Sequence, residues 1–317
     1  LAPEFIFIQI SIGPFRRNLA RRGTVRLQQS RRVYARAISA GESVMRSIAD
    51  QSKTELGGGY SVLSLQRRDH LRLGELLAGL ADAAPWQQRR VLLNIYRLVF
   101  PHAFAEESVL WPAIRRAVPN GEQLTLQVER EHQQINELVT QLEAIEPNQP
   151  EHQQILREVV ALLQQDVSDE ENALLPSLQA RLSGQQLRSL GLAWEAVRQM
   201  APTRPHPFVS RRPPGNVLAA LPLALIDRCR DAIDARRYDA PDASTPTLDA
   251  LSASLTRLSH RVERLPGLAL GEDLSTRRTR RSSLRGLALL GSMAVVTALI
   301  FTSIQRMPAQ QSEQPRL

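Results

Sequence analysis

The chain has 317 residues, 43% of them hydrophobic, and 40 basic residues against 32 acidic ones, for a net charge of +8. This length can bury one or two folded cores beside less ordered tails. Lys53 is the sole lysine, and the arginine runs 16–36 and 277–285 carry neither interleaved aromatics nor a helix-turn-helix pattern, so no nucleic-acid partner is expected. The single cysteine, Cys229, excludes an internal disulfide framework and fits a reducing compartment.

Residues 1–57 contain no acid between Glu4 and Glu42, and the apolar run FIFIQISI is too short to span a membrane. The composition superficially resembles a transit peptide. The expectation is a disordered tail, or sequence translated ahead of a later start such as Met45.

Residues from about 59 to 180 read as a duplicated helix pair, within a folded domain over 58–182. HAFAEESVLWP (102–112) aligns with DVSDEENALLP (166–176), each with two consecutive glutamates and a closing proline. Upstream, RRDHLRLGELLAGL (67–80) aligns with EREHQQINELVTQL (129–142), each with an acid immediately before a histidine. The spacing from His70 to His102 is 32 residues, and from His132 to Asp166 it is 34.

Within this region the apolar period is helical. Leu63, His70, Leu73, Leu77 and Leu80 share one seam. Leu92, Ile95, Val99, His102, Glu106 and Val109 share another. Val128, His132, Ile135, Val139 and Leu142 form the third, and Leu156, Val159, Leu163, Asp166 and Glu170 the fourth. Steps of three and four keep these residues on the buried face of a helix. With Pro85, Pro119 and Pro147 near the breaks, the prediction is an all-α protein built on an antiparallel four-helix bundle.

Each seam is apolar except at His70, His102, Glu106, His132, Asp166 and Glu170. Six ionisable side chains in a core would cost several kcal/mol apiece if left unpaired. Neutral imidazoles and ionised carboxylates directed inward from facing helices are a ligand set for a dinuclear metal centre. His102 with Glu106, and Asp166 with Glu170, are one turn apart and can reach one ion or two adjacent ions. Glu107 and Glu171 lie about 100° further round; they are expected to be solvated or hydrogen-bonded to a liganding histidine. A degenerate, metal-free bundle of paired histidines and acids is the alternative.

Over residues 59–180 the chain resembles hemerythrin-like proteins of the HHE cation-binding type. The resemblance implies a non-haem di-iron centre, with manganese or zinc as other occupants. It places the first-helix histidine at His70, the second-helix His-x-x-x-Glu at His102 and Glu106, the third-helix histidine at His132, and the fourth-helix motif at Asp166 and Glu170. Two departures stand out. Asp166 replaces a histidine, which makes one metal site richer in oxygen, and Asn136 falls where oxygen-carrying members have a further histidine.

Beyond the bundle, Ser183 is expected to cap an accessory helix over 183–200, with Leu187, Leu190 and Trp194 on its apolar side. Residues 201–216 read as a semi-extended Pro/Arg linker, 217–237 as an amphipathic helix with Cys229 packed or reactive, and 238–246 as a second linker. In 247–266, Leu248, Leu251, Leu255, Leu258, Val262 and Leu265 alternate by three and four. That pattern suits a short coiled coil and a homodimer, or equally a surface helix packed on its own chain. His260 faces outward in this register. His152 is expected at the surface of the fourth helix start, and His206 receives no functional role.

A basic linker over 267–285 precedes GLALLGSMAVVTALIFTSI (286–304), whose 19 residues lack a charge and are long enough to span a bilayer as a helix. The five arginines ahead of it, against Arg306 and Arg316 in and after the tail 305–317, orient the bundle to the cytoplasm. A hydrophobic helix buried in a dimer is the alternative. The function expected is binding or sensing of dioxygen, nitric oxide, peroxide or iron, rather than an enzyme's. A metal-free protein-contact scaffold and a di-iron oxidase are the alternatives.

Overall fold

The computed structural model describes residues 45–239 and 246–278, and every regular element among them is helical. Four helices form the bundle: α1 (Val62–Asp82), α2 (Pro85–Ala105), α4 (Gly121–Glu143) and α5 (Pro150–Asp169). Two of them continue without a break. α2 passes through a π-helical turn, Glu106–Leu110, into α3 (Trp111–Ala117), and α5 passes through Glu170–Leu174 into α6 (Leu175–Gln179).

Connections of a few residues between successive helices give the up-and-down arrangement. The apolar positions of the four seams meet in one core, to which Leu73, Leu77, Ile95, Val139, Leu156 and Leu163 contribute. The ionisable seam positions stack at one end of it.

The folded unit begins earlier than residue 58. Ile48 and Leu56 are fully buried, and Gln51 and Gln179 exchange side-chain hydrogen bonds of 3.0 and 2.7 Å. The rest of the N-terminal segment, up to residue 44, lies outside the described residues.

α7 (Gly184–Met200) is capped by Ser183, whose hydroxyl accepts from the Gln186 N–H while the Gln186 side chain accepts from the Ser183 N–H. This reciprocal pair satisfies two otherwise orphaned donors. The helix lies across α1 and α2, burying Leu187 and Trp194; Leu190, expected with them, is only partly covered. A Cβ at Gly191 would sit 2.1 Å from the Tyr60 carbonyl oxygen, so the close crossing requires glycine.

The expected linker 201–216 is instead a buried strap: Thr203, Arg204, His206, Val209, Ser210 and Arg211 are all inaccessible. The reason lies in α8 (Gly215–Asp239). Asp227, Asp231 and Asp234, spaced four and three apart, form an acidic face that matches the strap's donors. One Asp227 oxygen accepts from the Thr203 and Arg204 backbones and lies 3.0 Å from His206 Nε2. Arg204 is shared among Asp231, Asp234 and Glu143 at 2.8–2.9 Å. Composition suggested a solvated spacer because complementary charge 20–30 residues away is invisible to local reading.

α9 (Pro246–Val262) spends its leucine face on α8 of the same chain. Leu255 and Val262 are buried there, and Leu248, Leu251, Leu258 and Leu265 are packed against the same cluster, which includes Cys229. Intramolecular packing thus takes the place of the coiled coil. His260 is partly exposed, as its register predicts, and pairs with Glu263. His152, expected at the surface, is buried. Among the described residues no helix is long and apolar enough to cross a membrane; the segment 286–304 lies outside them.

Candidate metal centre

The two π turns explain how consecutive glutamates can both serve one interior. In each, an N–H reaches a carbonyl five residues back: Trp111 to Glu106, and Leu175 to Glu170. Pro112 and Pro176 follow directly. A proline has no N–H for the fourth residue back, and its ring crowds that carbonyl; a widened turn relieves both problems. The result leaves Glu106 and Glu107 both fully buried, which the 100° step of a regular helix would oppose.

All six seam residues singled out by sequence meet. His70, His102, Glu106 and Glu170 form one group, and His132, Asp166 and Glu170 a second, with the offered donor atoms in each group within 4.8 Å of one another. Glu170 belongs to both. Across the site His70 Nε2 lies 3.2 Å from Glu170, His102 Nε2 3.1 Å from Glu106, and His132 Nε2 3.7 Å from Glu106 and 3.6 Å from Asp166.

The opposite edge of every ring is held by an outer acid. His70 Nδ1 meets Glu171 at 2.9 Å, His132 Nδ1 meets Glu107 at 3.0 Å, and His102 Nδ1 meets Asp69 at 3.4 Å. Glu107 and Glu171 therefore take the second of the two roles expected for them. Asp69 was visible in the repeat as the acid before a histidine, but its partner on the neighbouring helix was not. Trp194 of α7 also sets its ring edge-on to His102, centroids 5.3 Å apart.

With a carboxylate to accept from each Nδ1–H, every ring can turn Nε2 inward to a cation once the second proton is displaced. Among the described residues, His70 Nε2, His132 Nε2, both Glu106 oxygens, one Glu170 oxygen and one Asp166 oxygen are buried without a hydrogen bond. Inward-facing polar atoms that face one another without well-formed hydrogen bonds are costly in a core and match the needs of a cation. The residues present thus fit a mixed nitrogen and oxygen metal site.

The electrostatics record the same crowding. Burial alone would lower His70 and His102, but the carboxylates around them outweigh it and raise their pKa values to about 9 and about 10. His132 is likewise driven well up, against its burial, chiefly by Asp166. Glu170 is pushed up to about 8 by burial and by the charges of Glu106 and Asp166. Asp69 moves down to about 2 because, against its burial, it bonds His102 and faces Arg68 and Arg198.

A cavity of about 20 Å³ adjoins the cluster, lined among others by His102, Ala103, Asn136, Leu163, Asp166 and Val167. That is room for a single water-sized molecule. Asn136 faces it from the place where the resemblance would put another histidine. Here its side chain accepts the His206 N–H and donates to the His132 carbonyl, so the position docks the strap.

A four-helix bundle with histidines and carboxylates converging at one end has the donor types and arrangement of a metal site. Residues 61–178 match the family model described as the Hemerythrin HHE cation binding domain. Among curated proteins the chain is similar to an uncharacterized hemerythrin-like protein of Schizosaccharomyces pombe, 27% identical over 134 residues, covering 42% of this chain and 66% of that protein. It is also similar to a DNA nickase of Nostoc sp., 27% identical over 133 residues, covering 42% of this chain and 37% of that protein. The chain thus spans less than two thirds of either relative. No solved structure matches it significantly.

Proposed function

We propose that the chain binds a pair of metal ions, iron above manganese or zinc, and uses them to bind or sense a small ligand such as dioxygen, nitric oxide or peroxide. His70, His102 and Glu106 would hold one ion, and His132 and Asp166 the other, with Glu170 within reach of both groups. The observation that carries this reading is the set of buried inner donor atoms without hydrogen bonds, behind which each histidine is held by its own acid. An iron pair supplies reversible ligand binding and electron transfer. The chain's part is to fix three imidazoles by their outer nitrogens, to exclude bulk water with the apolar core, and to leave a ligand-sized space beside Asn136.

Asp166 biases its side of the centre toward hard cations, because a carboxylate replaces an imidazole. The nickase activity named for the Nostoc sp. relative is not carried over, since the alignment covers 37% of that protein. The segment 286–304 is proposed to tether this domain to a membrane from the cytoplasmic side. Fractionation of the full chain against one ending at residue 285 tests this, and identical soluble partitioning would remove the anchor.

The test of the centre is elemental analysis of protein purified without chelators, followed by anaerobic iron loading and exposure to air. A near-ultraviolet and visible absorption that develops in the wild type and is lost in His102→Ala and Glu170→Ala is expected. No iron, manganese or zinc above background, together with no uptake on loading, would sink the reading.

A further inference from the structure

The strap that follows the cation-binding domain carries two consecutive arginines with different tasks. Arg212 anchors the strap on α4: its guanidinium donates to both Glu129 oxygens at 2.7–3.1 Å and pairs with Glu122 at 2.8 Å. Arg211 turns the other way, into the protein. Its NH2 donates to the carbonyls of His206 and Val209, each at 3.1 Å, and its backbone N–H is held by Glu272. Nearby, Ser210 N–H donates to the Leu268 carbonyl and Gly215 N–H to that of Leu270, so the segment after α9 fixes the strap from outside.

Held in this way, the buried Arg211 places NH1 3.6 Å from Glu107 Oε1. That same oxygen lies 3.0 Å from His132 Nδ1. Glu107 is fully buried, and its second oxygen has no hydrogen bond among the described residues. A carboxylate in that setting is costly unless a cation stands beside it. Glu129, one turn from His132, is also acidic, but it is already taken by Arg115 and Arg212.

A parallel arrangement occurs at the other end of the centre. Arg198 of α7 sets NH1 3.6 Å from Asp69, the acid behind His102. Residues beyond 178, where the family match ends, thus supply an arginine to two of the three acids that hold histidines.

We propose that Arg211 is a positioning residue for the metal centre: it braces Glu107 behind His132, so that the ring presents a free Nε2 to a cation. The inference rests on the metal-binding reading above. It adds that the region after the family domain is part of the centre and sets its affinity through a charge relay of Arg211, Glu107 and His132.

The test is titration of the metal-free full chain with Co²⁺, followed by its visible absorption, which reports both affinity and coordination geometry. Arg211→Gln is expected to weaken binding about tenfold or more, in line with the effect of outer partners on metal affinity, and to shift the spectrum. Arg211→Lys, which keeps the charge, is expected to recover most of the affinity. In a Glu107→Gln background the same Arg211→Gln change is expected to have little further effect, because the two residues act on His132 as one unit. The double variant removes both charges together, which keeps the test usable if Arg211→Gln alone does not fold.

Unchanged affinity and spectrum in Arg211→Gln would overturn the inference while leaving the metal centre intact. An equal loss in the Glu107→Gln background would overturn it too, by showing that Arg211 acts elsewhere. Failure of the wild type to bind either Co²⁺ or iron would remove the metal-binding reading, and this inference with it.

Discussion

His70 and Glu171 are 101 residues apart in sequence and 2.9 Å apart in space, Nδ1 to Oε1. His132 and Glu107 repeat this relationship at 3.0 Å. In each case the first helix of one half is held by the second helix of the other half. Such a crossed pair can arise from duplication of one helix hairpin, since the same residue types then face each other across the bundle axis.

The first prediction follows from that pair. Glu171→Gln keeps an acceptor for His70 but removes the charge that makes the ring a strong ligand. Metal affinity should fall about 10–100-fold, read by competition against a chelator of known affinity. An unchanged affinity would mean that Glu171 does not orient His70.

The second concerns pH. Without metal, His70 and His102 have pKa values of about 9 and about 10, so both carry protons at neutral pH. A cation must displace them, and affinity should tighten by about tenfold per pH unit for each proton released, flattening once pH passes those values. For the metal-free protein the sign is reversed. Raised histidine values contribute stability that is fully present below their unfolded pKa and is lost as pH rises through the folded one. The gap in melting temperature between loaded and metal-free protein should therefore widen from neutral to alkaline pH, as calorimetry would show.

The third concerns Asp166. The acid before His132 is Glu131, as Asp69 precedes His70, and Asp69 accepts from the histidine of the next helix. Glu131 is pushed up to about 8 by burial and by Asp166: two acids stand where the first half has an acid and a base. Asp166→His should place an imidazole against Glu131, raise zinc affinity severalfold and lower that for manganese, because imidazole suits the softer ion. Parallel titrations with the two metals would show it, and an unchanged ratio would contradict it.

The fourth tests the strap. His206 sits between Asp227 at 3.0 Å and Glu263 at 3.6 Å. Despite a burial that would lower it, those acids raise its pKa to about 9. The stability it contributes is fully present below about pH 6.5 and declines as pH rises through 9. Relative to His206→Gln, the wild type should lose roughly 2–3 kcal/mol between about pH 6 and pH 9.5, measured from denaturant midpoints. Equal pH dependence in the two proteins would show that His206 is not charged in the fold.

The bundle was legible because its signals are local. Leu73, Leu77 and Leu80, or Ile135, Val139 and Leu142, mark a buried face at helical spacing wherever the chain goes. The six ionisable residues stood out as polar breaks in those same seams, and all six meet. Asp69, Trp194, Arg198 and Arg211 could not be picked out in this way. Each acts on a residue of another element, and nothing in its immediate neighbours marks the contact.

Sequence by itself determined which side chains face the bundle interior, since helical periodicity is a property of consecutive residues. It also determined that the two halves are copies, and that Asp166 breaks the copying. Only the tertiary structure decided which acid stands behind which histidine, that Pro112 and Pro176 go with widened turns, the first of which buries both of its glutamates, and that an arginine-rich stretch is a buried strap instead of a spacer. Those outcomes depend on charges brought together across many residues, and a carboxylate selects the cation nearest in space, whatever its distance along the chain.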